Sequence, residues 1–317
     1  MGVHHTELKV GMNITLFGGA GFLGAQIARS LIAQGHAVRI FDKPAAKTNP
    51  HAVNLQGAIW LEGDFANVED VKAAVTDSEI ILHLISTTLP KHSSENLSHD
   101  LVSNAVPTLQ LLECAKEAGV KKILYFSSGG TVYGQAQYLP IDEFHPTNPL
   151  VPYGITKLAI EKYCLLYETL YGLRTHILRI SNPFGPTQLT NHAQGAVGVF
   201  LNRVINNQAI EIWGDGSVIR DYLYIEDLTR AVSDLIQYQG AESVFNIGSG
   251  VGLSLNEVIL FIESALGKKA ICHFHEARSF DVPANVLSIE KAKKELGWAP
   301  KESFASGLQK MIVNVLK

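Results

Sequence analysis

A chain of 317 residues, 46% hydrophobic and 18% charged, can bury a large core as one big domain or two modest ones. Its formal net charge of −4 gives no basis for gripping nucleic acid or an anionic membrane surface. No apolar run reaches the roughly 20 residues of a membrane helix, and no signal-peptide pattern opens the chain.

Residues 1–11 are polar and read as a loose extension; the pattern begins at Met12. Ile14-Thr15-Leu16-Phe17 reads as a buried strand, and Gln26 to Gln34 as a helix with Ile27, Leu31 and Ile32 on one face and Gly35 as its stop. Between them stands Gly18-Gly19-Ala20-Gly21-Phe22-Leu23-Gly24, with its glycines spaced GxxGxxG. Such a turn aims bare backbone N–H groups and the positive end of a helix dipole at one spot, which suits a pyrophosphate. The next strand, Ala37 to Phe41, ends on Asp42. An acid about 20 residues past the glycines is where a ribose 2′-hydroxyl is held, and its charge repels a 2′-phosphate, so the cofactor expected is NAD.

The alternation continues. Ala58 to Leu61 reads as a strand, Val68 to Val75 as a helix and Ile80 to Ile85 as a strand. The helix Leu101 to Glu117 carries Pro107, which should kink it, and Lys122 to Phe126 follows as a strand. The helix Pro152 to Tyr171 and the strand Thr175 to Ile180 close the series. Nearly unbroken apolar strands alternating with helices predict a Rossmann-type α/β fold, a doubly wound parallel sheet. From Ser181 the rhythm changes. Asn182-Pro183-Phe184-Gly185-Pro186 reads as a loop, Ala196 to Ile205 as a helix, Ile210 to Trp213 as a strand, and Gly214-Asp215-Gly216 as a turn. Helices over Glu226 to Gln237 and Leu255 to Ala265 flank a strand at Val244 to Ile247. The expected division is a dinucleotide-binding domain over 12–180, rejoined by about 223–250, and a smaller α/β substrate domain from 181–222 and 251–317. Three cysteines, Cys114, Cys164 and Cys272, cannot build a disulfide framework, so reduced thiols in a cytoplasmic protein are expected.

Three further clusters follow strands, on the edge where such sheets bind ligands. They are Gly63-Asp64, the run Ser127-Ser128-Gly129-Gly130-Thr131-Val132-Tyr133-Gly134, and Tyr153-Gly154-Ile155-Thr156-Lys157. Tyr153 and Lys157 stand at i, i+4 on one helix face, which lets an ammonium sit beside the phenol. A tyrosine with a reference pKa near 10 needs that help to act as a base at neutral pH.

In these motifs the chain resembles the extended short-chain dehydrogenase/reductases that act on nucleotide sugars, especially the UDP-glucose (UDP-galactose) 4-epimerases, from Met12 to about Lys317. The resemblance implies that Gly18, Gly21 and Gly24 meet the cofactor pyrophosphate, that Asp42 meets its ribose and Asp64 its adenine, and that Phe22, Leu23, Lys43 and Phe65 also contact the cofactor. It implies further cofactor contacts from Leu84, Ile85 and Ser86 in the stretch His83 to Thr88, and from Asn104, Ser127 and Ser181. Tyr153 and Lys157 match the catalytic pair. The substrate side falls on Thr88, Ser128, Gly129, Tyr153, Asn182, Val199 and Trp213, with Arg220 and Arg278 for the diphosphate, beside Asp281. Two guanidiniums together suit a diphosphate bidentately. Asn285 falls at the position beside the sugar 2-substituent.

The match has one flaw. The Ser or Thr that holds the sugar 4-oxygen in these epimerases falls on Gly129, so Ser128 or Thr131 is left to supply the hydroxyl. The cluster also lacks the Asp-Glu pair of the related 4,6-dehydratases and the glutamate common in the decarboxylases. The implied reaction inverts C4 of a UDP-hexose or UDP-N-acetylhexosamine through a 4-keto intermediate. Net oxidation or reduction of a nucleotide sugar is the alternative, and a non-catalytic nucleotide-sugar binding protein a third. Leu101 to Glu117 and Pro152 to Tyr171 resemble the helices of a four-helix homodimer interface, with Leu158, Cys164, Leu165 and Leu166 as apolar surface. His273 and His275 lie two apart on a strand with no third ligand nearby in sequence, so no metal site is expected.

Overall fold

The computed structural model describes residues 11–52, 55–88, 97–189, 195–278 and 281–315. The expected extension at the N-terminus lies, apart from Gly11, outside them. The first half runs β1 (Asn13–Phe17), α1 (Phe22–Ala33), β2 (Ala37–Asp42), β3 (Ile59–Glu62), α2 (Val68–Val75), β4 (Ile80–His83), α3 (Leu97–Glu117), β5 (Lys122–Ser128), α4 (Pro152–Tyr171) and β6 (Arg174–Ile180). The rest comprises β7 (Asn182–Phe184), α5 (Ala196–Ile205), β8 (Ala209–Trp213), β9 (Ile219–Tyr224), α6 (Ile225–Gln237), β10 (Val244–Ile247), β11 (Gly252–Ser254), α7 (Leu255–Leu266), β12 (Ile271–His275), β13 (Ala284–Asn285), α8 (Glu290–Leu296) and α9 (Phe304–Val315).

Seven strands form one parallel sheet in the order β10-β6-β5-β4-β1-β2-β3. Successive strand residues feed opposite cores. Ile14, Leu16, Leu82 and Leu124 pack on the face that α1 and α6 cover, while Phe17, Ile81, Ile123 and Tyr125 pack on the other, against α3 and α4. This is the Rossmann-type α/β sheet that the sequence pattern predicts. The strand order reverses between β1 and β4, which opens a crevice at their carboxyl ends.

Two departures concern proline. α3 runs unbroken from Leu97 through a buried Pro107, so the helix is longer than expected and the ring does not end it. The expected loop at Asn182 holds a short strand, with Asn182, Pro183 and Phe184 paired in parallel with Tyr222, Leu223 and Tyr224 of β9. A proline fits there because a three-residue strand has little ladder to lose. β9 is the hub of the smaller sheet, since β11, β13 and β7 all pair with it, and β8 pairs separately with β12. β10, by contrast, hydrogen-bonds β6 and extends the large sheet.

Candidate active site

The glycine turn is tight. Gly18 has φ +89°, and a Cβ there would lie 3.0 Å from the backbone nitrogen of Ile85. A Cβ on Gly24 would lie 2.5 Å from the Gly18 carbonyl oxygen, so only glycine lets the start of α1 pack on the turn. α1 begins at Gly21 with no side-chain cap and no acid in its first turn. Its unsatisfied N–H groups and positive dipole end therefore border a cavity of about 740 Å³. Asp42 also lines that cavity. Its carboxylate accepts from Ala20 N–H at 3.1 Å and Lys43 N–H at 2.9 Å, while burial raises its pKa.

Leu84, Ile85, Ser86 and Thr88 bring the stretch after β4 to the same cavity; Ser127 and Ser128 bring the end of β5, and Tyr153 and Lys157 the first turns of α4. Tyr153 and Lys157 are held by different means. Lys157 Nζ donates to the Phe126 carbonyl at 2.8 Å and lies 5.6 Å from the centre of the Tyr153 ring. Burial brings its pKa down to about 8, opposed by the negative charges of Glu161 and Asp100. Burial pushes the Tyr153 phenol up to about 12, opposed by a hydrogen bond with Ser86. At the phenol desolvation is thus the largest influence, and the ammonium on the same helix face is engaged by a backbone carbonyl.

Below the cavity floor, Ser127 donates to Glu161, whose carboxylate takes two bonds from Arg179 Nε at 3.2 Å and one from Nη2 at 2.7 Å. Both members of this ion pair are almost fully buried. Arg179 also donates to the Tyr133 hydroxyl at 3.0 Å, and that hydroxyl donates to Asn246 at 2.6 Å. The network joins β5, α4, β6 and β10 beside the cavity.

Several residues expected as contacts do not line this cavity. Asp64 is exposed and folds back on Ala66 N–H at 3.0 Å, outside the cavity, as are Lys43 and Phe65. Asn104 is buried and serves the loop, accepting from Thr87 N–H at 2.8 Å. Thr131 Oγ1 is buried without a hydrogen-bond partner and does not line the cavity; Ser128 does. Gly129 is packed shut, since a Cβ there would meet Leu287 Cδ1 at 2.6 Å and the Arg179 carbonyl at 3.1 Å. Asn285 has no exposed surface, and its amide donates to the Gly129 carbonyl at 3.0 Å. It thereby supports the strand end, while its own Oδ1 is buried without a hydrogen-bond partner.

On the substrate side, Thr88, Ser128 and Asn182 line the cavity, whereas Val199, Trp213, Arg220, Arg278 and Asp281 do not. Arg220 donates to the Ile219 and Val282 carbonyls, both at 2.8 Å. The Arg278 guanidinium carbon lies over Trp213, 3.7 Å from the ring centroid, and His275 stacks on the same indole. Glu211 on β8 pairs with both His273 and His275 across the strand pair, a partner that sequence spacing alone did not bring into view. Among the described residues no group of three His, Cys, Asp or Glu could hold a metal ion. Ala20, Ala46, Asn49, Phe126, Ile180, Pro183, Gln188 and Gly195 line the cavity without having been expected there. Ala20 and Pro183 sit inside stretches the sequence had singled out, and the other six carry no motif to mark them.

The residues present suit a dinucleotide: an uncapped helix N-terminus, an acid at the end of β2, and two buried polar atoms at the cavity, Ser181 Oγ and Gln188 Oε1, with no protein hydrogen-bond partner. Comparison with known proteins agrees. A sequence profile of the NAD dependent epimerase/dehydratase family matches residues 14–248. The chain is 34% identical to a putative UDP-glucose 4-epimerase of Methanocaldococcus jannaschii over 96% of its own length and 98% of that protein's. It is 32% identical to the dTDP-4-dehydro-6-deoxyglucose reductase of Escherichia coli, with 97% and 98% covered. Among solved structures, UDP-glucose 4-epimerase of Thermotoga maritima with UDP-glucose superposes with a TM-score of 0.90 at 31% identity, covering 96% of this chain and all of that one. With its fold, glycine turn and Tyr153-Lys157 pair in place, the chain belongs to the NAD-dependent epimerase/dehydratase family, among the extended short-chain dehydrogenase/reductases that resemble UDP-glucose 4-epimerase.

Proposed function

We propose that the protein inverts C4 of a UDP-hexose or UDP-N-acetylhexosamine. The observation that carries this reading is the meeting of Tyr153, Lys157 and Ser128 with the glycine turn and Asp42 around one cavity. When bound, NAD supplies a hydride acceptor whose positive ring also favours an ionised phenol. Tyr153 takes the proton of the sugar 4-hydroxyl and later returns it. Lys157 keeps a cation beneath the phenol, and Ser128 presents a hydroxyl to the sugar 4-oxygen. The protein supplies position and a tuned proton affinity: once the keto sugar has turned over within the cavity and the hydride has returned to the opposite face of C4, Tyr153 gives the proton back to the 4-oxygen. The segments 181–222 and 251–317 form the sugar-nucleotide side, from which Asn182 lines the cavity.

The proposed assembly is a homodimer through α3 and α4. Cys164 is in the core, and Leu158 and Leu165 pack partly against it, so of the four residues expected on that surface Leu166 alone is exposed. Its exposed company is Leu101, Val102 and Val106 on α3 and Ile155, Tyr163, Leu170 and Tyr171 on α4.

The test is an NMR time course of purified protein with a panel of UDP-sugars and no added cofactor. Interconversion of 4-epimers without accumulating NADH is the expected result. The reductase relative favours one second reading, net redox chemistry. A keto sugar formed in step with NADH would establish it and end the epimerase proposal.

A further inference from the structure

One buried carboxylate ties a loop, two helices and the reacting phenol together. Asp100, in the first turn of α3, is 1% exposed, and its two oxygens serve different elements. One accepts the Thr88 hydroxyl and the other the Thr156 hydroxyl. Thr88 belongs to the stretch after β4 that lines the cavity, while Thr156 stands on α4 between Tyr153 and Lys157. Asn104, one turn further along α3, braces the arrangement by donating to the Asp100 carbonyl at 2.9 Å and accepting from Thr87 N–H at 2.8 Å. On the loop, the Ser86 hydroxyl donates to the Thr88 carbonyl at 3.0 Å while the phenol is neutral, and it is hydrogen-bonded with the Tyr153 phenol, to which it turns its single proton once that group ionises. The bonds close a ring that leaves α4 at Thr156 and returns to it at Tyr153.

We propose that Asp100 and Thr156 are positioning residues, the Asp100 carboxylate clipping the 84–88 loop to α4 and so setting the Ser86 hydroxyl on the Tyr153 phenol. A carboxylate suits the task because it offers two acceptor oxygens, and charge-assisted bonds are roughly twice as strong as neutral ones. Burying it for packing alone would be costly, since an apolar residue fills such a space more cheaply. The clip rests on the reading of Tyr153 as the proton-handling group, but its test needs no sugar.

The NAD-loaded protein is titrated with alkali, and the phenolate absorbance of Tyr153 is isolated by subtracting that of Tyr153→Phe. The charged or titratable groups around the phenol are Lys157 and Glu161 on its own helix, Asp100 on α3, Tyr125 on β5, Arg179 on β6 and His83 on β4. Thr156→Val leaves every one of them in place while cutting the clip. It should raise the midpoint of Tyr153 by at least about half a pH unit, as loss of one hydrogen bond to the ionised form does. Ser86→Ala should raise it by as much, and the double variant should go no further. Thr156→Ser keeps a hydroxyl and should titrate like the parent. If Thr156→Val does not fold, Thr88→Val cuts the other end of the clip and should give the same rise. An unmoved midpoint in these folded variants, or shifts that add in the double variant, overturns the proposal. Should no UDP-sugar be epimerised while the pattern holds, the proposed reaction fails and the clip stands.

Discussion

Gly129 offers a quantitative test of how the strand end is packed. The hydroxyl expected at this position can be restored by Gly129→Ser, and the backbone there is not left-handed, so the obstacle is steric. A Cβ would sit 2.6 Å from Leu287 Cδ1, well inside contact distance, and Leu287 is completely buried. Overpacking of this kind costs about 1–3 kcal/mol. Leu287→Ala alone should cost about 2–5 kcal/mol for the lost contacts and the cavity left behind. Each change relieves the other, because the seryl Cβ enters the space that the leucyl methyl vacates. The double variant should therefore be more stable than the sum of the single losses by about 1–2 kcal/mol, within the range seen for residues in contact. Urea unfolding followed by tryptophan fluorescence reads all four corners of the cycle. If Gly129→Ser loses nothing, or the two losses add to within about 0.5 kcal/mol, the packing argument is wrong.

Tyr153→Phe keeps the ring and removes the proton, so turnover should fall by about 10² or more with NAD still bound; near-normal turnover would falsify the assignment. Ser128→Ala should lower kcat by about 10²–10³ as loss of an oxyanion-type donor does, whereas Thr131→Ala, altering a hydroxyl off the cavity, should leave the rate within about threefold; the reverse ranking in steady-state assays would reassign the donor. Titration of nucleotide-free protein should show NAD bound more tightly than NADP, and Asp42→Ala should erode the difference; equal affinities in the parent protein would refute the role given to Asp42. Sedimentation at micromolar concentration should show a dimer that Leu166→Glu with Leu170→Glu dissociates, and a monomeric parent would remove the proposed interface.

The first half of the fold was legible because its signals are local. The strand, glycine turn, helix and acid from Ile14 to Asp42 each leave a mark within a few residues, and α2 and α4 were read at their true ends. The smaller sheet was not. β7, β11 and β13 hold two or three residues each and exist because β9 supplies their partners, an arrangement no window of sequence contains. The same division runs through the site. Tyr153 and Lys157 announce themselves by spacing, but Glu161 is only recognisable as part of the floor once Arg179, 18 residues away, is seen to bond it. The bond from the Asn285 amide to the Gly129 carbonyl was equally out of reach, since it joins residues 156 apart in the chain.

The buried pair of Glu161 and Arg179 bears on how this enzyme can change over time. Removing one partner strands a charge in the interior, at a cost of about 3–5 kcal/mol, while exchanging both for well-packed apolar groups is often neutral or better. A lineage taking single steps must therefore cross a deep valley to reach a viable neighbour. Ser127 and Tyr133 make the crossing harder, since each has a hydrogen bond at stake. The floor of the site is thus heritable as a block, and substrate range is freer to drift on the cavity wall above it than in the polar layer beneath.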